Sequence, residues 1–204
     1  SSPKPKKETT VAFLQAVCMR PLERMEERTA VATLLMSLLS HLETSDVEHF
    51  IRFISKLAHQ PRSLHRLFAV ELALQALQNS NQSYNSICLL MNTFHDRSAD
   101  KVPAVRGKAI ACLSTALQCL SDEDSHGGIV RSSVLSVLAP GFDLDSRSED
   151  SKSGVRKSVV QLVLVTAQCI LKDSIWKHFA ETARTTIDSP VRSCSQFSSP
   201  NCSP

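Results

Sequence analysis

Two stretches of this chain repeat one another, and the repeat constrains the fold more than any other feature. Asp100–Leu120 reads DKVPAVRGKAIACLSTALQCL and Asp150–Ile170 reads DSKSGVRKSVVQLVLVTAQCI. In each, an aspartate stands six residues before an arginine that follows a valine and precedes an apolar stripe by three: Asp100 with Arg106, and Asp150 with Arg156. In the first copy Val105, Ala109, Cys112, Leu113, Ala116, Leu117 and Leu120 recur at three- and four-residue steps, which is one face of an α-helix. Pro103 suits the first turn of that helix, where its missing N–H would go unpaired anyway.

A third, more worn copy lies upstream in His65–Leu77, HRLFAVELALQAL, where Arg66 leads Ala69, Ala73, Ala76 and Leu77. It departs from the other two because Gln60 occupies the place of the aspartate and Arg66 follows a histidine. The three arginines are separated by about 40 and about 50 residues, and the first interval lies near the lower end of the ~40–47 of two-helix HEAT or armadillo units. The predicted fold class is therefore all-α: a HEAT/armadillo-type α-solenoid of antiparallel helix pairs with disordered tails.

Composition narrows the field in the same direction. The chain has 204 residues, 42% of them apolar, which is enough to bury a core. Five glycines and 5% aromatic residues argue against sandwiches, barrels and nucleotide-binding α/β folds, which spend glycine on turns. A net charge of +3 permits a nucleic-acid partner without requiring one, because a clustered face matters more than the total. The seven cysteines are odd in number, form no C-x-x-C pair, and mostly fall in apolar stripes (Cys18, Cys88, Cys112, Cys119, Cys169). With no secretory signal and no apolar run of about 18 residues, a reduced intracellular protein without a membrane partner is expected.

Residues 1–8 are a basic lead, with Pro3 and Pro5 and a PKPKK run that reads as a candidate localisation or phosphate-contacting patch, and are expected to be disordered. The solenoid is assigned to residues 9–188. A short first helix begins at Thr9 and stops at Pro21; Leu22–Leu42 is predicted as a second, apolar almost all round in its later half and so needing neighbours on more than one side. Ser45 and Glu48 have capping-box spacing, which predicts a third helix from Asp46 to about His59. The worn repeat, Tyr84–His95, the central repeat, Ile129–Leu138, the last repeat and Ile175–Ile187 supply further helices, with SDEDSHGG and APGFDLDSRSED as polar breaks. Residues 189–204 are a Ser/Pro tail expected to be disordered. No polar repeat closes the array, so the chain reads as a segment of a longer array or a truncated product.

Motifs for chemistry are absent. The seven histidines are scattered, with no H-E-x-x-H, and there is no G-x-S-x-G, no Walker-type loop and no G-x-G-x-x-G. No cofactor, metal or small-molecule substrate is expected, and the chain is read as non-enzymatic. Asp100, Arg106, Asp150 and Arg156 are candidates for a ladder of charge-assisted hydrogen bonds between successive units, with an outward-facing role as the alternative. Lys101, Lys108, Lys152 and Lys157 are candidate phosphate contacts. Ser189, in Ser-Pro-Val-Arg, is a candidate for phosphorylation by a proline-directed kinase, and Ser199-Pro200, Ser203-Pro204 and Ser2-Pro3 are minimal versions of the same dipeptide.

The series SLHRLFAVELALQAL, DKVPAVRGKAIACLSTALQCL and EDSKSGVRKSVVQLVLVTAQCIL resembles, in order and wording, consecutive HEAT repeats of the D-three family of condensin II regulatory subunits. The resemblance is good over Arg62–Leu171, thin over Val11–His59 and absent from both tails. It implies a non-catalytic subunit that binds the kleisin and other condensin II subunits, contacts DNA or chromatin, associates with an SMC ATPase pair, and acts in the nucleus on mitotic chromosomes. The chain is far shorter than a full member of that family. A general HEAT or armadillo adaptor binding a peptide in its groove is the alternative, followed by an enzyme in an all-helical fold.

Overall fold

The computed structural model describes residues 8–20, 22–78, 83–119, 130, 134 and 150–170. Among them are seven α-helices: α1 Glu8–Cys18, α2 Met25–Leu39, α3 Thr44–Leu57, α4 Ser63–Leu77, α5 Tyr84–Ser98, α6 Pro103–Cys119 and α7 Ser153–Ile170. They build an α-solenoid of two layers. α1, α3 and α5 stack in one, α2, α4 and α6 in the other, and α3–α4, α4–α5 and α5–α6 pack across. α7 meets α6 where Val155 and Ser158 approach Gly107. Ser1–Cys169 forms one compact unit; of Ile170–Pro204 only Ile170 is described. The Ile175–Ile187 helix and the lead and tail segments lie outside the described residues.

How much of each helix is buried follows from its number of neighbours. α3 has one stripe, Phe50, Ile51, Ile54 and Leu57, spaced for a single face. α4 packs against α2, α3, α5 and α6, and accordingly buries nine residues, from His65 to Leu77. α2 differs from its sequence expectation. It is shorter, Met25–Leu39, because the carbonyls of Leu22 and Glu23 are turned toward the Arg28 guanidinium instead of starting the helix. Nor is it buried all round: Ala32, Leu35 and Leu39 face the core, whereas Leu34 is 59% and Leu38 40% exposed. Its main neighbour is α4, and one neighbour covers only one stripe.

The capping-box expectation for α3 is also corrected. α3 starts at Thr44 with Glu43 as its N-cap and no side-chain cap bond. Glu48 is drawn away to a tertiary bond, accepting from Ser83 Oγ at 3.1 Å, with Arg52 at 3.4 Å one turn on. Ser83 in turn caps α5, its hydroxyl oxygen accepting from the Ser86 amide at 3.3 Å. A bond between helices has displaced a local one.

The core runs through both layers, with Phe50, Phe68 and Phe94 as its largest fully buried side chains. Each such side chain contributes about 1.5–3 kcal/mol on burial. Val130 and Val134 are helical and buried at a spacing of four; the rest of the predicted Ile129–Leu138 helix lies outside the described residues. Gly107 lies mid-helix at the α6–α7 contact, and an added Cβ would stand 3.6 Å from a Val155 methyl and 3.7 Å from its Cα, ordinary contact distances. Gly107→Ala is therefore expected to stabilise the chain by up to about 1 kcal/mol, the helix-propensity difference between the two residues. The check is a urea denaturation midpoint; a fall in midpoint would show that the two helices are closer than this geometry.

Candidate functional site

One turn into each helix of the second layer stands an arginine, and each of these guanidiniums is anchored in the same way. Arg66 Nη1 donates to the carbonyls of Gln60 and Pro61, at 3.1 and 2.6 Å. Arg106 Nη1 donates to those of Asp100 and Lys101, at 2.7 and 3.2 Å, and Arg156 Nη1 to that of Asp150. The arginine thereby closes the turn that leads into its own helix.

The rest of each guanidinium reaches forward to the next unit. Arg66 Nε and Nη2 form a bidentate pair with Asp100, at 2.7 and 3.0 Å, with only 5% and 2% of the two side chains exposed. Arg106 Nη2 binds Asp150. Gln60 supplies no acid, and the preceding rung is built differently: Arg28 Nε pairs with Glu71 of α4 at 2.8 Å. The sequence reading missed this rung. Its signal was Arg28 standing three residues before Val31 and Ala32, as the other arginines stand before their stripes; its acid, on the face of α4, had no signal in sequence spacing.

Asp100 is the hub of the ladder. Besides Arg66 it accepts from Arg97 Nη1 at 3.1 Å and from the Val102 amide at 2.8 Å, while Arg97 Nε is buried with no hydrogen-bond partner among the described residues. Burial opposes ionisation of Asp100, but the hydrogen bonds from Arg66 and Val102 and the charges of Arg66 and Arg97 outweigh it and hold the carboxyl below its ordinary range. The Asp150 carboxyl is likewise lowered, first by the Lys152 amide at 2.9 Å and then by Arg106. The two aspartates thus make the same turn, with the amide two residues on bonded to the carboxylate.

Arg156 is exposed and forms no salt bridge among the described residues, although its charge helps to hold the Asp150 carboxyl down. Lys101, Lys152 and Lys157 are exposed and Lys108 is half-buried. Measured from the arginines, these lysines do not share a register: Lys152 stands where Val102 does, and Lys101 where Ser151 does. Ser189 lies outside the described residues.

The remaining reactive groups are placed as core or surface. Cys18 and Cys112 are buried, and desolvation pushes both thiols up to about 12, so neither is a thiolate near neutral pH. Cys119, expected in an apolar stripe, is exposed instead, because α6 turns its last residues out of the core. Under native conditions a thiol reagent is expected to modify Cys119 rapidly, and Cys18 and Cys112 only on unfolding; rapid native loss of either buried thiol would contradict this burial. His65 Nε2 lies 3.2 Å from the Met19 carbonyl, and His59 and His95 flank Asp96 at 3.6 and 3.7 Å. Among the described residues no group of three or more His, Cys, Asp or Glu is placed to hold a metal, and no helix is long and apolar enough to cross a membrane. The cleft lined by Leu39, Ile51, Ala76, Glu48 and Ser83 offers one carboxylate, already bonded to Ser83.

Among curated proteins, condensin-2 complex subunit D3 of Mus musculus is 27% identical over 142 residues, covering 64% of this chain and 9% of that protein. Condensin-2 complex subunit D3-L of Xenopus laevis is 26% identical over 119 residues, covering 52% of this chain and 8% of that protein. The chain spans less than a tenth of the length of these relatives. No protein-family model matches it, and no solved structure matches it.

Proposed function

We propose that the chain is a non-catalytic HEAT-type scaffold segment of a condensin-2 regulatory subunit of the D3 kind. Its partners are the kleisin and other condensin-2 subunits, with the SMC ATPase pair reached through them, and chromatin DNA; its place is the nucleus, on mitotic chromosomes. The observation that carries this reading is the similarity to two condensin-2 D3 subunits, the longer spanning 142 residues of a chain whose described part is a stack of helical units. A solenoid whose units are tied by buried charge pairs presents a stiff extended surface, which is what a subunit that positions other chains requires.

The test is retention of the purified condensin-2 kleisin by the full chain, with circular dichroism showing that the chain is folded. Retention supports the reading. A folded chain that retains no kleisin leaves a general HEAT or armadillo adaptor and removes the condensin assignment.

A further inference from the structure

We infer that one edge of the solenoid, formed by the turns that lead into α2, α4, α6 and α7, is a binding surface for the phosphate backbone of a nucleic-acid duplex. This deepens, and rests on, the proposed chromatin-bound role. Apart from Arg52 in the middle of α3, every described lysine and arginine lies in one zone. That zone is the last turn of α3 or α5, the turns that lead into the second-layer helices and α7, and the first two turns of those helices. The opposite edge carries Glu43 just before α3 and Asp46 and Glu48 in its first turns, and among the described residues no lysine or arginine at the ends of α2, α4, α6 or α7. Among the described residues the basic side chains are thus polarised toward one edge, which the chain's net charge of +3 does not reveal.

Two sets of cations stand out on this edge. Arg28, Arg66 and Arg106, one turn inside α2, α4 and α6, are spent on acids and carbonyls of the ladder, as is Arg97 on Asp100. Those at the helix entrances are free: Arg24, Arg62 and Lys152 immediately precede α2, α4 and α7, and Lys101 stands two residues before α6. All four are exposed and none is in a salt bridge among the described residues. Packed helix axes lie about 8–10 Å apart, so four successive entrances make a row on the order of 30 Å, about nine phosphates of one strand at ~3.4 Å each.

The acids near the row are mostly occupied. Asp100 and Asp150 are held in the ladder and Asp96 lies between His59 and His95; Glu23, Glu26 and Glu27 remain exposed at α2 only. Met19 and Met25 are exposed beside the α2 entrance, but from the α4 entrance to the α6 entrance no large apolar side chain is exposed on this edge. A protein partner would need such an anchor, whereas phosphate contacts need charge alone.

The test is a salt titration of the full chain binding a labelled 30-base-pair duplex. Releasing counterions contributes a slope of about 0.9 in log K against log salt per phosphate neutralised, so the triple variant Arg62→Gln, Lys101→Gln, Lys152→Gln should lower the slope by about 3. Arg52→Gln, off the row, should leave it unchanged. Exposed positions keep the variants folded, which circular dichroism checks. An unaltered slope in the triple variant, an equal effect per charge from Arg52→Gln, absence of duplex binding, or equal competition by polyglutamate would each overturn the assignment. Kleisin retention by the same variants separates the two proposals: a chain that retains kleisin without the slope change loses only the row, and one that shows the slope change without kleisin loses only the condensin reading.

Discussion

Asp100→Asn is expected to lower the unfolding free energy by about 3–5 kcal/mol, the range for removing one partner of a buried ion pair. The asparagine keeps an acceptor for the Val102 amide, so the turn survives and the lost charge is what is measured. The buried Arg66 guanidinium and the partly buried Arg97 are then left without a counter-charge. Arg66→Met should cost less, because Arg97 and the Val102 amide still hold Asp100. The double variant should cost less than the sum of the singles, with a coupling of about 0.5–3 kcal/mol. Urea denaturation of the four proteins is the measurement, and additive losses would sink the idea of a shared buried pair.

The same residue gives a pH dependence of definite sign. The folded carboxyl titrates below its ordinary value, so the folded state binds its proton less readily than the unfolded chain does. Its stabilisation is therefore fully present above the unfolded pKa of about 3.9 and is lost as pH falls through the folded value. Asp150 shifts in the same direction and adds to the loss. Stability measured downward from about pH 5 should drop less steeply in Asp100→Asn than in the parent, because the ordinary carboxylate range begins near there.

Phe94→Ala should produce a loss of similar size, about 3–5 kcal/mol, by leaving a cavity that the surroundings fill only in part. Phe94 is fully buried on α5, which is packed against α3, α4 and α6 at once. A helix held on three sides has little freedom to collapse into the space. At about 2–4 °C per kcal/mol for a chain of this size, the melting temperature should fall by about 6–20 °C. Phe13→Ala is the matched control: its ring is 61% exposed and its removal should cost no more than about 0.5 kcal/mol. Equal losses at the two positions would mean that α5 is not at the centre of the packing.

How far each element was legible depended on how local its cause is. The stripe of α6 was readable because Val105, Ala109, Cys112, Leu113, Ala116 and Leu117 carry the helical period themselves, and all six are buried. The stripe of α4 was readable for the same reason, through Ala69, Ala73, Ala76 and Leu77. The later half of α2 carries equally apolar residues yet leaves Leu34 and Leu38 in solvent, since the period says which residues share a face and not how many faces find a neighbour. The end of α6 was misread at Cys119 for the same reason.

By itself the sequence determined that the chain is helical, where most helices lie, and that an arginine recurs at one phase of successive units. These follow from 3.6-residue periodicity and from spacings of six and three along a single strand of chain. Only the tertiary structure decided which acid each arginine meets: Glu71 for Arg28, Asp100 for Arg66 and Asp150 for Arg106. It also decided that Glu48 leaves its helix end for Ser83, and that the free cations gather on one edge. The physical reason is range. A helical turn is written within about four residues, whereas a charge pair of a few ångströms joins residues some 34 to 44 positions apart, and only the stacking of the units brings them together.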